Sequence, residues 1–374
     1  MVRIGIDGLA VASAPGRVNI LGNPTDGLEG AYATISAAIG MRAYVRIETG
    51  GSFTCSPMDK PLLTVSIADP DGDYGGIPRL FNSAVKVLQV FFPDLAERVV
   101  KDKPDIFYRT EVPPEGGLAG STAFIAAFLE AVRYVYGFDR CRFNDYIMAE
   151  VVQRAEEYAG VTCGYADRYV CVMGGLAYMD FRGKLHHKPL KEEPLATYER
   201  LDSYVDYIPL LICYLGVRRS SGDIHRVFRG AYMREWRKMK VKRTRSRLVN
   251  IMRRVGWTAM MGKYALLEHD WETFGKLMIL NHKLVDEAMR LAGFQQGAGY
   301  YNNLVIQYAL KKGALGAKLS GAGGGGSVLV LTPPDREACI GRELSDYMRK
   351  IGLEKSRVFN LDISRDGVRL EEFA

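Results

Sequence analysis

Side chains able to do chemistry concentrate in four short stretches of this 374-residue chain. In the first, Ala14-Pro15-Gly16-Arg17 leads through Asn19 to Gly22-Asn23-Pro24-Thr25-Asp26. Its polar residues lie between two apolar segments, so they form either a hydrogen-bonded turn built on Asp26 or one wall of a buried site. The second, Pro113-Pro114-Glu115-Gly116-Gly117-Leu118-Ala119-Gly120-Ser121-Thr122-Ala123, is a Gly-rich turn that opens into a helix. Small residues let a ligand approach the backbone, and the free N–H groups and dipole of a helix N-terminus favour an anion. A strand–turn–helix corner capped by Ser or Thr is the alternative. The third is Asp167-Arg168, placed between a helix end and a buried apolar run. It is either an exposed ion pair of little worth or a charged pair aimed into a cleft. The fourth, Lys318-Leu319-Ser320-Gly321-Ala322-Gly323-Gly324-Gly325-Gly326-Ser327, is a second Gly-rich loop that ends in a buried strand.

Hydrophobic periodicity supplies the elements that must position these stretches. Residues 105–112 alternate as a strand before the second stretch, and 123–132 read as a buried helix after it. A helix over 144–158 ends at Ala159-Gly160, with the usual chemistry of a helix stop, just ahead of the third. Strands are expected over 42–48 and 63–67, and a helix over 79–92. A strand over 205–216 precedes a helix that Asp223 would cap and that runs to about residue 255. Helices over 258–267, 271–291 and 300–311 lead to the fourth stretch, and strand 327–331, helix 335–351 and strand 356–362 close the chain. The polar, irregular segment 184–203 is the expected boundary between two domains, 1–190 and 191–374.

Composition excludes several classes. The 48% hydrophobic and 25% charged content is that of an ordinary globular protein with ample core. No apolar run approaches the length that spans a bilayer, and no signal-peptide layout is present, so a cytoplasmic protein with no membrane partner is expected. The six cysteines form no Cys-x-x-Cys pair, which argues against zinc and a disulfide framework and for buried free thiols. The adjacent His186-His187 lacks an i,i+4 partner and reads as a surface pair. Between residues 234 and 254 stand ten Lys or Arg and one acid. These charges fall around much of the helix without interleaved exposed aromatics, so a solvated basic face is expected rather than a nucleic-acid surface.

Three of the stretches, in this order, resemble the motifs of the GHMP kinases: 14–26, 113–123 and 318–331. The last is the closest match; Ala119-Gly120-Ser121-Thr122 stands where the family usually shows Gly-Ser-Ser-Ala. Leu277-Met278 and Asn281-His282 also look like the family's helix. The resemblance spans about residues 12–331. It implies an α+β fold with an N-terminal domain like the second domain of ribosomal protein S5, a ferredoxin-like C-terminal domain, and ATP between them. Arg17, Asn19, Gly22 and Asp26 are similar to the sugar-kinase branch. Asn23-Pro24 replaces the Glu-His of galactokinases, and within the branch the chain is most similar to the glucuronokinases. Asp167-Arg168 with Gly174-Gly175 and Met179-Asp180-Phe181 agrees, as does Ser221-Gly222-Asp223-Ile224-His225 with Arg229.

The resemblance implies a role for each matching residue. Gly116, Gly117, Leu118, Ala119, Gly120, Ser121 and Thr122 would surround the ATP phosphates, with Ser121 and Glu156 meeting Mg²⁺ and Glu157 as the substitute for Glu156. Asp167 would orient the attacking hydroxyl and take its proton, and Arg17 would stabilise developing charge. Asn23, Asp26, Arg168, Arg218, Ser221, Gly323 and Gly324 would contact a sugar or sugar acid. A uronic acid would need an arginine for its carboxylate, from among Arg168, Arg218 and Arg219. The reacting position would be the anomeric hydroxyl. A homodimer, other acceptors of the family and a non-catalytic regulatory relative remain open.

Overall fold

The computed structural model describes residues 8–30, 32–60, 63–69, 72–162, 164–184, 192–217 and 221–372. The chain opens with two long strands, β1 (Leu9–Leu21) and β2 (Ala33–Glu48), followed by β3 (Thr54–Pro57) and β4 (Val65–Ser66). Helices α1 (Gly76–Phe91) and α2 (Pro93–Asp102), strand β5 (Asp105–Thr110), and helices α3 (Gly120–Val135), α4 (Asp145–Tyr158) and α5 (Ala166–Met173) come next. Strands β6 (Leu176–Asp180), β7 (Thr197–Arg200) and β8 (Leu210–Tyr214) lead to α6 (Ser221–Lys242), α7 (Arg247–Leu267), α8 (Trp271–Leu291) and α9 (Tyr300–Lys311). The chain closes with β9 (Gly316–Ser320), β10 (Ser327–Leu331), α10 (Glu337–Lys350), β11 (Arg357–Asn360) and β12 (Arg369–Leu370).

Two sheets organise these elements. The first runs in the order β12-β1-β2-β5-β3-β4, with β6 paired to β2 and β7 to β6. The second is antiparallel, β11-β8-β10-β9. One core lies between the first sheet and α1, α3, α4 and α5, built from residues such as Val45, Phe81, Phe128 and Val152. Another joins the two sheets to α7 and α8 through Ile20, Ile35, Ile212, Phe274 and Leu329. A further core packs the second sheet on α9 and α10. The C-terminal segment returns to the first sheet, where the buried Arg42 donates to Ser13 Oγ at 2.6 Å and to Ser364 Oγ at 3.1 Å.

Several expectations change. The helix expected from Asp223 to about 255 is two helices, α6 and α7. Arg243 takes a left-handed φ of 51°, and Ser246 then caps α7 by accepting from the Val249 N–H at 3.4 Å. The unbroken Lys/Arg run hides this stop, because it carries neither Gly nor Pro. Asp223 lies in the first turn of α6 and is not its cap. The strand expected over 63–67 is only two residues long, and that over 205–216 shrinks to Leu210–Tyr214. A further helix, α2, begins at Pro93, beyond the helix expected over 79–92. The five described cysteines are free, as expected, but Cys141 and Cys339 are exposed. His186 and His187 lie outside the described residues. Arg234, Arg237, Lys240, Lys242 and Arg245 are exposed. Among the described residues no helix is long and apolar enough to cross a membrane.

Two features hold the helices that matter for the site. Asn144 caps α4 by accepting from the Ile147 N–H at 3.1 Å. Gly174 ends α5 at φ 72° and ψ −177°, a region open essentially only to glycine, and a Cβ there would stand 2.3 Å from the Gly367 nitrogen. Asn144→Ala is expected to lower the unfolding free energy by about 1 kcal/mol. Gly174→Ala should cost more, about 1–3 kcal/mol from backbone strain plus the clash. Urea melts of both variants check this ranking, and a milder effect at Gly174 would contradict it.

Candidate active site

The cleft, of about 790 Å³, lies where the 113–122 turn, the starts of α5 and α6, and the 321–326 loop meet. The two Gly-rich loops touch through their backbones. A Cβ on Gly117 would lie 3.1 Å from the Ser320 carbonyl oxygen, and one on Gly326 would lie 3.1 Å from that of Gly116. Ser327 Oγ donates to the Gly116 carbonyl at 2.7 Å. Ala119 precedes α3 in the left-handed conformation, φ 62° and ψ 36°, and supplies no side-chain cap. The first-turn N–H groups of α3 have no intrahelical acceptors, and Gly120, Ser121 and Thr122 line the cleft. This is the geometry of an anion site. Away from it, Pro57, Ile77, Tyr108 and Phe124 line an apolar end.

Arg17 and Asp167 make the central pair. Both outer nitrogens of a guanidinium fork are used: Nε and one terminal nitrogen of Arg17 donate to the two Asp167 oxygens. The other terminal nitrogen donates to the Gly117 carbonyl at 2.6 Å. The Arg17 backbone N–H donates to the Leu118 carbonyl at 3.0 Å, so β1 is bonded twice to the Gly-rich turn. Asn19 Nδ2 donates to Asp167 at 3.1 Å, and Asn19 Oδ1 accepts from Ser36 Oγ at 2.7 Å. Burial acts to raise the Asp167 pKa. The charges of Arg17 and Arg168, with hydrogen bonds from Arg17 and Asn19, outweigh it and hold the carboxyl at about 2. The dipole at the N-terminus of α5 works in the same direction.

A second pair extends this network to α3. Ser121 Oγ donates to Glu156 at 2.6 Å, Thr122 Oγ1 donates to it at 3.0 Å, and Arg168 forms an ion pair with its other side. Ser121 and Glu156 thus present a hydroxyl and a carboxylate side by side at the cleft. Glu157 accepts from Gln153 at 3.1 Å and lies 3.9 Å from Arg229, outside the lining. Of the two acids, the geometry selects Glu156 as the one that a cation could reach together with Ser121.

Arg17, Gly116 through Thr122, Glu156, Asp167, Arg168 and Gly323 are brought to one cleft. Several of the expected substrate contacts are taken up by the protein itself. Arg168 is buried, and its two terminal nitrogens are held by Glu156, Asp167 and the Gly164 carbonyl. Asn23 is buried; its Nδ2 donates to the Gly321 carbonyl at 3.2 Å and its Oδ1 accepts from Lys318 at 2.9 Å. Asp26 is buried and accepts from the Ala166 N–H at 2.9 Å, capping α5 from another element. Burial, with the Asp167 charge added, raises its carboxyl to about 6. The Gly324 N–H donates to the Ala298 carbonyl at 2.6 Å. Arg218 lies outside the described residues, and Ser221 begins α6.

Three residues that the motif stretches contain, but to which the sequence assigns no role, also enter. Asn19 touches Asp167, as its place in the polar first stretch could have suggested. Lys318 is the one charged residue of β9, a strand buried along its whole length. His225 lines the cleft from α6, and burial lowers its pKa to about 4.

The family model of the GHMP kinases N terminal domain matches residues 82–175, which carry the Gly-rich turn, Glu156 and Asp167. That of the GHMP kinases C terminal domain matches 263–350, which carry the second Gly-rich loop. Glucuronokinase 1 of Arabidopsis thaliana is 28% identical over 328 residues, covering 85% of this chain and 83% of that protein. A mevalonate kinase of Pyrococcus furiosus is 24% identical, covering 97% of this chain and 98% of that one. The crystal structure of Lactococcus lactis galactokinase complexed with galactose superposes with a TM-score of 0.76 at 15% identity, over 98% of this chain and 95% of the other. With the shared α+β fold, the two matched models and the cleft between their Gly-rich loops, this chain belongs to the GHMP kinases.

Proposed function

We propose that the protein transfers the γ-phosphoryl group of ATP to the anomeric hydroxyl of a sugar or sugar acid, with a uronic acid as the preferred acceptor. The observation that carries this reading is the ionised Asp167 at the polar end of the cleft, bonded to Arg17 and adjoining a helix N-terminus suited to phosphate. The apolar end lined by Ile77, Tyr108 and Phe124 suits a base.

Phosphoryl transfer asks a protein mainly for position and charge. The first-turn N–H groups of α3 bind the phosphate oxygens. Asp167 accepts a hydrogen bond from the acceptor hydroxyl and aims its lone pair. With a pKa of about 2 it is a weak base, so the proton moves late, as the new P–O bond forms. Arg17, held by Asp167 and Gly117, lies between the acceptor and the phosphates and stabilises the transferring group. Ser121 and Glu156 fit Mg²⁺, which takes one or two protein oxygens and keeps several waters. When bound, the ion neutralises phosphate charge. Arg168 keeps the Glu156 carboxylate turned toward Ser121.

The substrate side divides between shaping and contact. Asn23, Asp26 and Gly324 shape the wall, while Gly323 and His225 face the cleft. With Arg168 engaged by Glu156, Arg218 and Arg219 are the candidates for a substrate carboxylate. The glucuronokinase similarity supports the uronic acid. One observation favours an acceptor of the mevalonate type instead: that match runs nearly the full length of both chains.

ATP turnover should be assayed with glucuronate, galactose, fucose, a heptose phosphate, mevalonate and homoserine. Glucuronate is expected to give the highest kcat/KM; turnover of mevalonate or homoserine alone would overturn the sugar reading. Asp167→Asn should lower kcat by about 10²–10⁴-fold with ATP affinity nearly unchanged. Retained kcat would remove Asp167 from its role. Glu156→Gln should raise the Mg²⁺ concentration for half-maximal rate by roughly 10-fold. An unchanged Mg²⁺ requirement in a variant shown by its melt to be folded would exclude Glu156 as a ligand.

A further inference from the structure

Lys318 is 1% exposed on β9, at the junction of the two sheets. Its ammonium donates to the Asn19 carbonyl at 3.0 Å, to Asn23 Oδ1 at 2.9 Å and to the Leu319 carbonyl at 2.5 Å. Three donors meet three acceptors, and all three acceptors are neutral. No carboxylate pairs with Lys318 among the described residues. Two of these ties lead directly into the site. Asn19 donates to Asp167, two residues along β1 from Arg17. Asn23 donates from its other end to the Gly321 carbonyl, at the start of the second Gly-rich loop.

We propose that Lys318 is a positioning residue for phosphoryl transfer: its charged Nζ ties β1 and the Asn23 loop to β9, holds Asn19 beneath Asp167, and loosens this arrangement when it gives up a proton. A neutral amine keeps two N–H donors and gains a lone pair, so one of the three carbonyl oxygens loses its partner and faces a lone pair instead. The inference rests on the reading of Asp167 as the group that aims the acceptor hydroxyl. Displacing a reacting group by about 1 Å costs roughly 10²-fold in rate, so slack in this strut is enough to be felt.

The surroundings favour proton release in an accessible range. Burial, and then the Arg17 charge, lower the Lys318 pKa to about 7. Two titratable groups face it from neighbouring elements, Arg17 on β1 and His282 on α8. His282 is brought down to about 4 by burial first, so it is uncharged where Lys318 titrates. Asp26 at about 6 titrates nearby in pH, but its limb rises as pH increases while the Lys318 limb falls. The stability linkage has the opposite sign to the activity. The folded pKa lies below the 10.5 of an ordinary lysine, so the unfolded chain binds the extra proton above about pH 7. Stability contributed by this group therefore increases from about pH 7 towards 10.5 while activity declines.

The test is the pH dependence of kcat from pH 5.5 to 9.5, at saturating ATP and acceptor, with thermal melts at each pH. Wild-type kcat is expected to fall with a single-proton limb near neutral pH without a parallel loss of melting temperature. Lys318→Arg keeps charge and donors, and its plateau should extend past pH 9. Lys318→Met should lose about 10-fold to 100-fold in kcat at pH 6 and show no alkaline limb. Should either variant fail to fold, NMR titration of ¹³C-labelled lysine side chains in the wild-type protein reads the Lys318 proton directly, apart from turnover. A flat wild-type profile, a limb that persists in Lys318→Arg, or a Lys318 resonance that titrates only above pH 9 would overturn the proposal. Failure of the Asp167 reading is separate, since it appears as retained activity in Asp167→Asn.

Discussion

The buried ion pair between Arg17 and Asp167 is the interaction on which the rest of the site depends. Two charges leave water at a large cost, which only close contact and full hydrogen bonding offset. Here both conditions are met, with Asn19 adding a third donor and Gly117 taking the remaining guanidinium nitrogen. The pair joins β1, the N-terminus of α5 and the Gly-rich turn before α3. Removing either partner would leave a buried charge uncompensated, at a cost of about 3–5 kcal/mol, so this corner is fixed as a unit. Arg168 carries the network on to Glu156, and Glu156 carries it to Ser121.

Around this corner the backbone comes close to itself in ways side chains would forbid. The 116–117 and 320–327 segments lie near contact distance, with Ser327 bonded across the gap. Glycine serves here less for flexibility than for the absence of a Cβ. The result is a rigid cradle made from two segments about two hundred residues apart in the chain. Flexible loops would have to lose conformational entropy each time a ligand bound.

Burial of titratable groups gives the site a graded set of protonation states. Asp167 stays ionised because two arginines and a dipole outweigh burial. Asp26 is pushed up by burial first and by the like charge of Asp167 second, against the hydrogen bond from the Ala166 N–H. His225 and His282 are kept neutral, and Lys318 lies between the extremes. Burial acts on all five and sets the direction at four of them; only at Asp167 do neighbouring charges and hydrogen bonds reverse it.

Much of this was legible in the sequence. Alternation and 3.6-residue periodicity marked β5, α3, α4, α8, α9 and β10, because each has one clear buried face. The two Gly-rich stretches and Asp167-Arg168 stood out because such residues are costly in ordinary cores and corners. The split between α6 and α7 did not show, since the basic run carries no breaker and the stop is a single left-handed Arg243 followed by a Ser cap. Nor could the chain order tell a substrate contact from a strut. Arg168, Asn23 and Asp26 belong to the motif stretches, yet each is buried and bonded to protein partners. Which partners a side chain finds is a property of three-dimensional neighbours and has no signature along the chain. By itself the sequence determined which residues could do chemistry and which elements would carry them. The tertiary structure alone decided which remain open to a ligand, because only packing sets the distance, burial and charge around each group.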